Sequence, residues 1–398
     1  MSADQQQGEG LKAMEKKTYV YISSWKKKTS DYGLSGYEFD PMTGAMRLVD
    51  QAEQDIEFNV THFDPRRGVL YALEEAADLP GLRGGGGGRV FVFRIDPATG
   101  KLERIGCTET WCSNPCYLTL DQSGKYLLVT HHGTKSAVTK IGQDIHGNYY
   151  PVVERDDAVV ELFSVKEDGT LGRLLDVSRH EGAGPERRQM HAQPHTTVMS
   201  PSGTLFAVCD KGCDTVSMYK LDREKGKLIR PAHIYRHTPG TLPRYCVFHP
   251  GKPWFYHNTE NTTRIGAFTY TQDGLLKEIG AYGVLPEAWE EKEAACEQQG
   301  LVIDPAGRYL YDIVRGPNLV TVLEVNQEDG SLKTVQHQTI PGKWPRGCAL
   351  SPDGRFLLVC CFDSGKVLEY AVGADGHLSE TGNECSCTAA AYAIFCVI

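Results

Sequence analysis

Short runs of alternating apolar and polar residues, broken by glycine- and proline-containing turns, recur along the whole chain, a pattern of β-strands rather than helices. One turn unit returns seven times: an acidic or polar turn, a glycine, one residue, then Leu or Met. It reads FDPMTGAM from Phe39, IDPATGKL from Ile95, VKEDGTL from Val165, LDREKGKL from Leu221, TQDGLL from Thr271, NQEDGSL from Asn326 and GADGHL from Gly373. Its glycines, Gly44, Gly100, Gly169, Gly226, Gly274, Gly330 and Gly376, are spaced by 56, 69, 57, 48, 56 and 46 residues. Glycine supplies the positive φ of a tight turn, so each unit marks a hairpin tip. A second unit lies between the tips, a strand that ends in a polar turn and resumes as an aromatic or aliphatic strand. Its six copies start at His62, Leu118, Val198, Val247, Leu301 and Ala349.

Four short strands for every roughly 50 residues predict propeller blades. Seven tips against six openings leave one opening strand missing. The chain enters with the second strand of a blade, KTYVYISSW at Lys17 to Trp25, and the apolar run AAAYAIFCVI at Ala389 to Ile398 stands where the missing strand belongs. Adding that run to the first blade removes the free edges. The expectation is therefore an all-β, seven-bladed propeller closed by its C-terminal strand, a single domain over 17–398 behind a flexible tail at 1–16. Thr130 to Asp157 reads as a polar loop inserted in one blade. Gly84 to Gly88 lacks the Lys-Ser/Thr of a phosphate-cradling loop and reads as a flexible surface loop. Pro286 to Gln299 is the best helix, expected to cross one face of the ring.

Composition narrows the chemistry. Lys and Arg number 42 against 51 Asp and Glu, a net charge of -9, which disfavours a nucleic-acid partner. No run approaches the roughly 18 apolar residues of a membrane span, and the first residues lack the apolar core of a signal peptide, so a cytoplasmic protein is expected, as a monomer or small homo-oligomer. Thirteen cysteines then read as reduced thiols. The pairs Cys112/Cys116, Cys209/Cys213 and Cys385/Cys387 form no paired CxxC set, and no metal or organic cofactor is expected.

Blade starts carry unusual polar residues, and equivalent positions of a radial repeat converge at one mouth. RRQMHAQPHTTVMSP brings Arg188, His191 and His195 to one blade start, and TLPRYCVFHP and KWPRGCALSP place Arg244 and Arg346 at two others. YHNTEN offers Glu260, YDIVRGPN offers Arg315 and THHGT offers His132. Histidine passes protons near neutrality, and arginine presents a planar fork to anionic oxygens. Acid–base work on a small anionic substrate follows. His195, Glu260, Arg244 and Arg315 are expected to be catalytic, with His191, Arg346, Arg188 and His132 binding substrate.

The segments PHTTVMSPSGTLFAV, LPRYCVFHP, NTEN, VRGPN and WPRG resemble those of the seven-bladed propeller lactonases, which include 6-phosphogluconolactonases and the carboxy-cis,cis-muconate lactonizing enzymes. The resemblance runs from about Lys17 to the C-terminus and implies active-site roles for His195, Arg244, Glu260 and Arg315. It also marks departures: Leu-Pro-Arg-Tyr stands at 242–245 where relatives carry Gly-Pro-Arg-His, and His131 and His132 stand where relatives often have Asn-Tyr. The expected activity is hydrolysis of a sugar lactone, most plausibly 6-phosphoglucono-1,5-lactone. A cycloisomerase that makes a lactone from a carboxylated muconate and a propeller that only binds protein partners are the alternatives.

Overall fold

The computed structural model describes residues 16–25, 33–78, 81, 85–231 and 233–398. These residues form seven antiparallel sheets set as blades, each ordered from an innermost to an outermost strand. Blade 1 runs Ala390–Val397, Thr18–Ser24, Leu34–Phe39 and Met46–Ala52, so the C-terminal strand is its innermost member. Phe58–Asp64, Pro115–Leu120, Pro194–Met199, Pro243–Phe248, Glu297–Ile303 and Pro345–Leu350 open blades 2 to 7. Each innermost strand packs beside the next, and that of blade 7 beside Ala390–Val397, which closes the ring. In blade 4 the outermost strand is split into Lys227–Ile229 and Ile234–Arg236.

Seven apolar clusters fill the seven junctions between neighbouring blades. The middle strands are covered on both faces, which is why runs such as FLLVCC at Phe356–Cys361 are buried throughout rather than alternating. The glycine tips tie one blade to the next. Gly100 has φ 73°, a Cβ there would lie 2.3 Å from the Tyr19 ring of blade 1, and Tyr21 donates a 2.7 Å hydrogen bond to the Gly100 carbonyl. Tyr71, Tyr256 and Tyr311 repeat that bond to Gly169, Gly330 and Gly376.

Three local expectations need correction. The segment Thr130 to Asp157 is not a plain loop: Ala137–Gln143 pairs with Tyr149–Arg155 as a two-stranded hairpin joined to no other sheet. The helix expected over Pro286 to Gln299 is confined to one turn at Glu287–Glu290 and a 3-10 turn at Glu293–Ala295. From Glu297 the chain becomes the innermost strand of blade 6, because the ring must fill that slot and Gln298 then hydrogen-bonds buried Asp312. Of the glycine run, Gly87 and Gly88 are buried, and a Cβ at Gly88 would meet the Glu74 carbonyl at 2.0 Å; close backbone packing is what requires glycine there. The tail expected over 1–16 lies, apart from Lys16, outside the described residues.

Candidate active site

Antiparallel pairing puts the start of each innermost strand beside the end of the second strand, so both sets of residues gather at one mouth. The second residue of each innermost strand is Asn59, Cys116, His195, Arg244, Gln298, Arg346 or Ala391. The residue just after each second strand is Trp25, Glu75, His132, Lys211, Glu260, Gly316 or Phe362. Asn114, Leu242, Trp344 and Ala389, each just ahead of an innermost strand, have φ between 51° and 56°. This left-handed step, uncommon for residues with a Cβ, turns the chain into the mouth in four blades. A cavity of about 400 Å³ opens there, walled by Trp25, Glu75, Asn114, His132, Lys135, His191, Gln193, His195, Lys211, Arg244 and Arg346.

His195 is buried and lines the cavity, with Nδ1 hydrogen-bonded to Thr196 Oγ1 at 3.1 Å; among the described residues Nε2 makes no hydrogen bond. Its ring lies 5.4 Å from that of Tyr245 and 6.3 Å from that of His132, the latter pair only 7° from parallel. Burial first, then electrostatic interaction with Arg244, Lys211, His132 and Arg346, holds the imidazole well below its ordinary 6.5. The sequence suggests a group that titrates near neutrality. The site instead keeps His195 neutral, a proton acceptor in the resting protein.

Two guanidinium groups, those of Arg244 and Arg346, share the cavity wall with His195, and Arg315 interacts with both of them from outside that wall; all three carry unused donors. Arg244, Arg315 and Arg346 are 5%, 6% and 4% exposed, yet Arg244 Nε and Nη1, Arg315 Nη2 and Arg346 Nε have no hydrogen-bond acceptor among the described residues. Arg244 Nε is 2.9 Å from Glu260 Oε2, an ion pair too bent to be a hydrogen bond. Arg315 lies over the Trp344 ring at 3.5 Å and donates to the Pro345 carbonyl; Arg346 lies over Trp25 at 3.6 Å and donates to Asn59. Burial lowers the pKa of Arg315, and Arg346 and Arg244 add to that shift. Buried donors without acceptors are costly, and an anion with several oxygens would relieve that cost.

Glu260 is not hydrogen-bonded to His195. It accepts from Arg188 Nη1 at 2.9 Å and Lys211 Nζ at 3.0 Å while it pairs with Arg244. Burial alone would raise its pKa, but Lys211, Arg244 and Arg188 outweigh burial and hold the carboxylate ionised. Its place in the site is that of an anchor for cations, not of a base or imidazole partner. Arg188, expected to bind substrate, has its fork occupied by Glu260, Glu297 and Asn261, and like Arg315 and Glu260 it is not part of the cavity wall. His191, His132 and Arg346 do line the wall. Sequence reading missed Lys211, Glu75 and Gln193. Lys211 and Glu75 follow second strands at the same offset as His132 and Glu260, a signal visible once the strand ends are aligned. Among the described residues no group of three or more His, Cys, Asp or Glu side chains is gathered to hold a metal, and all thirteen cysteines are free thiols.

The family described as lactonase, seven-bladed β-propeller, matches residues 19–397. The chain belongs to this family. Among lactonase relatives, the 6-phosphogluconolactonase of Formosa agariphila is 24% identical over 85% of this chain and 88% of its own length. The 6-phosphogluconolactonase of Bacillus subtilis is 24% identical over 87% and 89%. The solved structure of a Pseudomonas aeruginosa periplasmic gluconolactonase shares the fold with a TM-score of 0.79 and 23% identity, covering 96% of this chain and 99% of that one. No described helix is long and apolar enough to cross a membrane.

Proposed function

We propose that this lactonase-family chain hydrolyses a sugar lactone that carries an anionic group, with 6-phosphoglucono-1,5-lactone as its substrate. The observation that carries the reading is the set of N–H donors without acceptors on Arg244 and Arg346, which share a cavity wall with His195, and on Arg315 beside them. The substrate anion supplies the acceptors those donors lack. By offsetting the cations that depress His195, it also makes the imidazole a stronger base once substrate is bound. His195 then takes a proton from the attacking water, and Lys211 and Arg244 face the negative charge that develops on the carbonyl oxygen. Glu260 keeps Lys211, Arg244 and Arg188 in register. The reading uses no metal, since a wall rich in cations repels a divalent ion. It also places the protein in the cytoplasm, which thirteen free thiols support.

The test is a substrate panel run with and without chelator: the phosphorylated lactone, its unphosphorylated counterpart and a carboxylated muconate. The phosphorylated lactone should be opened with the highest kcat/KM, unaffected by chelator. Cyclisation of the muconate without lactone hydrolysis, or no turnover of any of the three, would overturn the reading.

A further inference from the structure

Three histidines line the cavity, and their ring nitrogens are partnered differently. His195 is hydrogen-bonded through Nδ1 alone among the described residues. His191 is hydrogen-bonded through Nε2 to the Thr134 carbonyl at 2.8 Å and leaves Nδ1 without a partner. Both nitrogens of His132 meet acceptors: Nδ1 lies 2.9 Å from the Gly133 carbonyl and Nε2 lies 3.3 Å from Glu75 Oε1. Neither oxygen can donate while Glu75 is ionised, so His132 fills both bonds only as an imidazolium with a hydrogen on each nitrogen. Glu75 is itself fixed by the side-chain amide of Asn59 and lies 4.0 Å from Arg346. The neighbouring His131 repeats the arrangement between the Cys112 carbonyl and Glu161 but is not part of the cavity wall.

We propose that His132, held by Glu75, is a second catalytic residue: its imidazolium protonates the ring oxygen of the lactone as that oxygen leaves, while neutral His195 takes the proton of the attacking water. The assignment rests on the lactonase reading and gives that site its acid. Two imidazoles on one wall with opposite protonation make an acid–base pair, each in the state its task requires. Electrostatic interaction with His132 is among the causes that keep His195 neutral, as an imidazolium at position 132 requires. The step balances. Water gives a proton to His195 Nε2 and forms the new C–O bond; the ring C–O bond breaks, and its oxygen takes a proton from His132. The product carboxyl group ionises, and exchange with solvent returns His195 to neutral and His132 to imidazolium.

The first experiment reads protonation without turnover. Histidine ring ¹⁵N spectra of the whole protein at neutral pH, assigned with His132→Gln, should show hydrogens on both nitrogens of His132. Glu75→Gln should reduce that population. A neutral ring at position 132 in the wild-type protein would overturn the proposal whatever its activity.

The second experiment compares a lactone with the corresponding thiolactone, whose thiolate leaves without being protonated. His132→Gln should slow the lactone about 10²- to 10³-fold and the thiolactone less than about tenfold, with KM little changed. Equal losses on both substrates, or a change confined to KM, would reduce His132 to a binding or structural role. Melting curves accompany the kinetics, and Glu75→Gln, which leaves the ring in place, should show the same preference for the thiolactone if His132→Gln folds poorly. If the wild-type protein opens neither compound, the lactonase reading fails, and the ¹⁵N spectra still decide the state of His132.

Discussion

Lys17 and Ile398 exchange two backbone hydrogen bonds, each 2.9 Å, so the first and last strands of the ring are hydrogen-bonded edge to edge at their ends. That pair continues a ladder in which Thr18 to Ser24 face Val397 to Ala390. Removing 389–398 would strip blade 1 of its innermost strand, expose both neighbouring junctions and break the circle of inner strands. The loss should exceed the roughly 5–15 kcal/mol that holds a domain folded. The truncated chain should therefore fail to accumulate as soluble, cooperatively melting protein. A truncated form with the parental melting temperature would show that closure contributes little.

The state of His195 gives a pH prediction. Its pKa lies well below 6.5, so the neutral base is present at pH 7 and is lost only as pH falls into the more acidic range. The acidic limb of kcat/KM should lie clearly below pH 6.5. Arg244→Gln removes one of the depressing charges, so it should move that limb to higher pH besides weakening binding. His195→Ala should lower kcat about 10²- to 10⁴-fold with a modest change in KM. A wild-type limb at or above pH 6.5, or normal turnover in a well-folded His195→Ala protein, would contradict this role.

Glu260 holds three cations in a buried site, and the cost of losing it is electrostatic. Glu260→Gln keeps the shape but leaves Lys211, Arg244 and Arg188 without their counter-charge, which should cost about 3 kcal/mol or more in unfolding free energy. The sign with pH follows from its depressed pKa. The contribution is fully present above the ordinary 4.5 and fades as pH falls below it, so the gap between wild type and variant should narrow in acid. Chemical denaturation at neutral pH and near pH 4 measures that gap. A gap that does not depend on pH would assign the loss to packing.

The repeat was legible because each blade solves the same local problem with the same residues. All seven tip glycines have positive φ, and each turns a blade's third strand into its outermost one. His195, Arg244 and Arg346 were legible for a related reason: each follows a proline at the same step of an innermost strand, so a linear motif reports a ring position. Arg244 meets Glu260 across paired strands of one blade, but Arg188 and Lys211 reach Glu260 from the preceding blade, and those contacts were not legible because ring curvature sets their distances. The state of His195 was hidden too, as burial in the assembled ring and then neighbours from other segments, Arg244 and Lys211 first, fix it. The hairpin at 137–155 escaped because its strands are exposed on both faces and carry no clear alternation.

Arg315 and Arg346 combine an aromatic contact with an unpaired donor on one planar fork, which lysine does not have. Each guanidinium carbon lies over a tryptophan ring, Trp344 at 3.5 Å or Trp25 at 3.6 Å, and each group keeps a donor without an acceptor. Stacking fixes the plane of the fork before substrate arrives, so binding spends little side-chain entropy. Lysine lacks both the plane and the fork. Arg346→Lys and Arg315→Lys should therefore raise KM for the phosphorylated lactone nearly as far as the alanine variants do, with losses of about 1.5–3 kcal/mol for a hydrogen bond to a charged group. The unphosphorylated lactone, having no anion for the fork, should be affected much less. Trp344→Leu should give a milder version of the Arg315 effect, because it loosens the guanidinium without removing it. Full rescue by lysine, or equal losses on charged and uncharged lactones, would mean that these arginines support the fold rather than the anion.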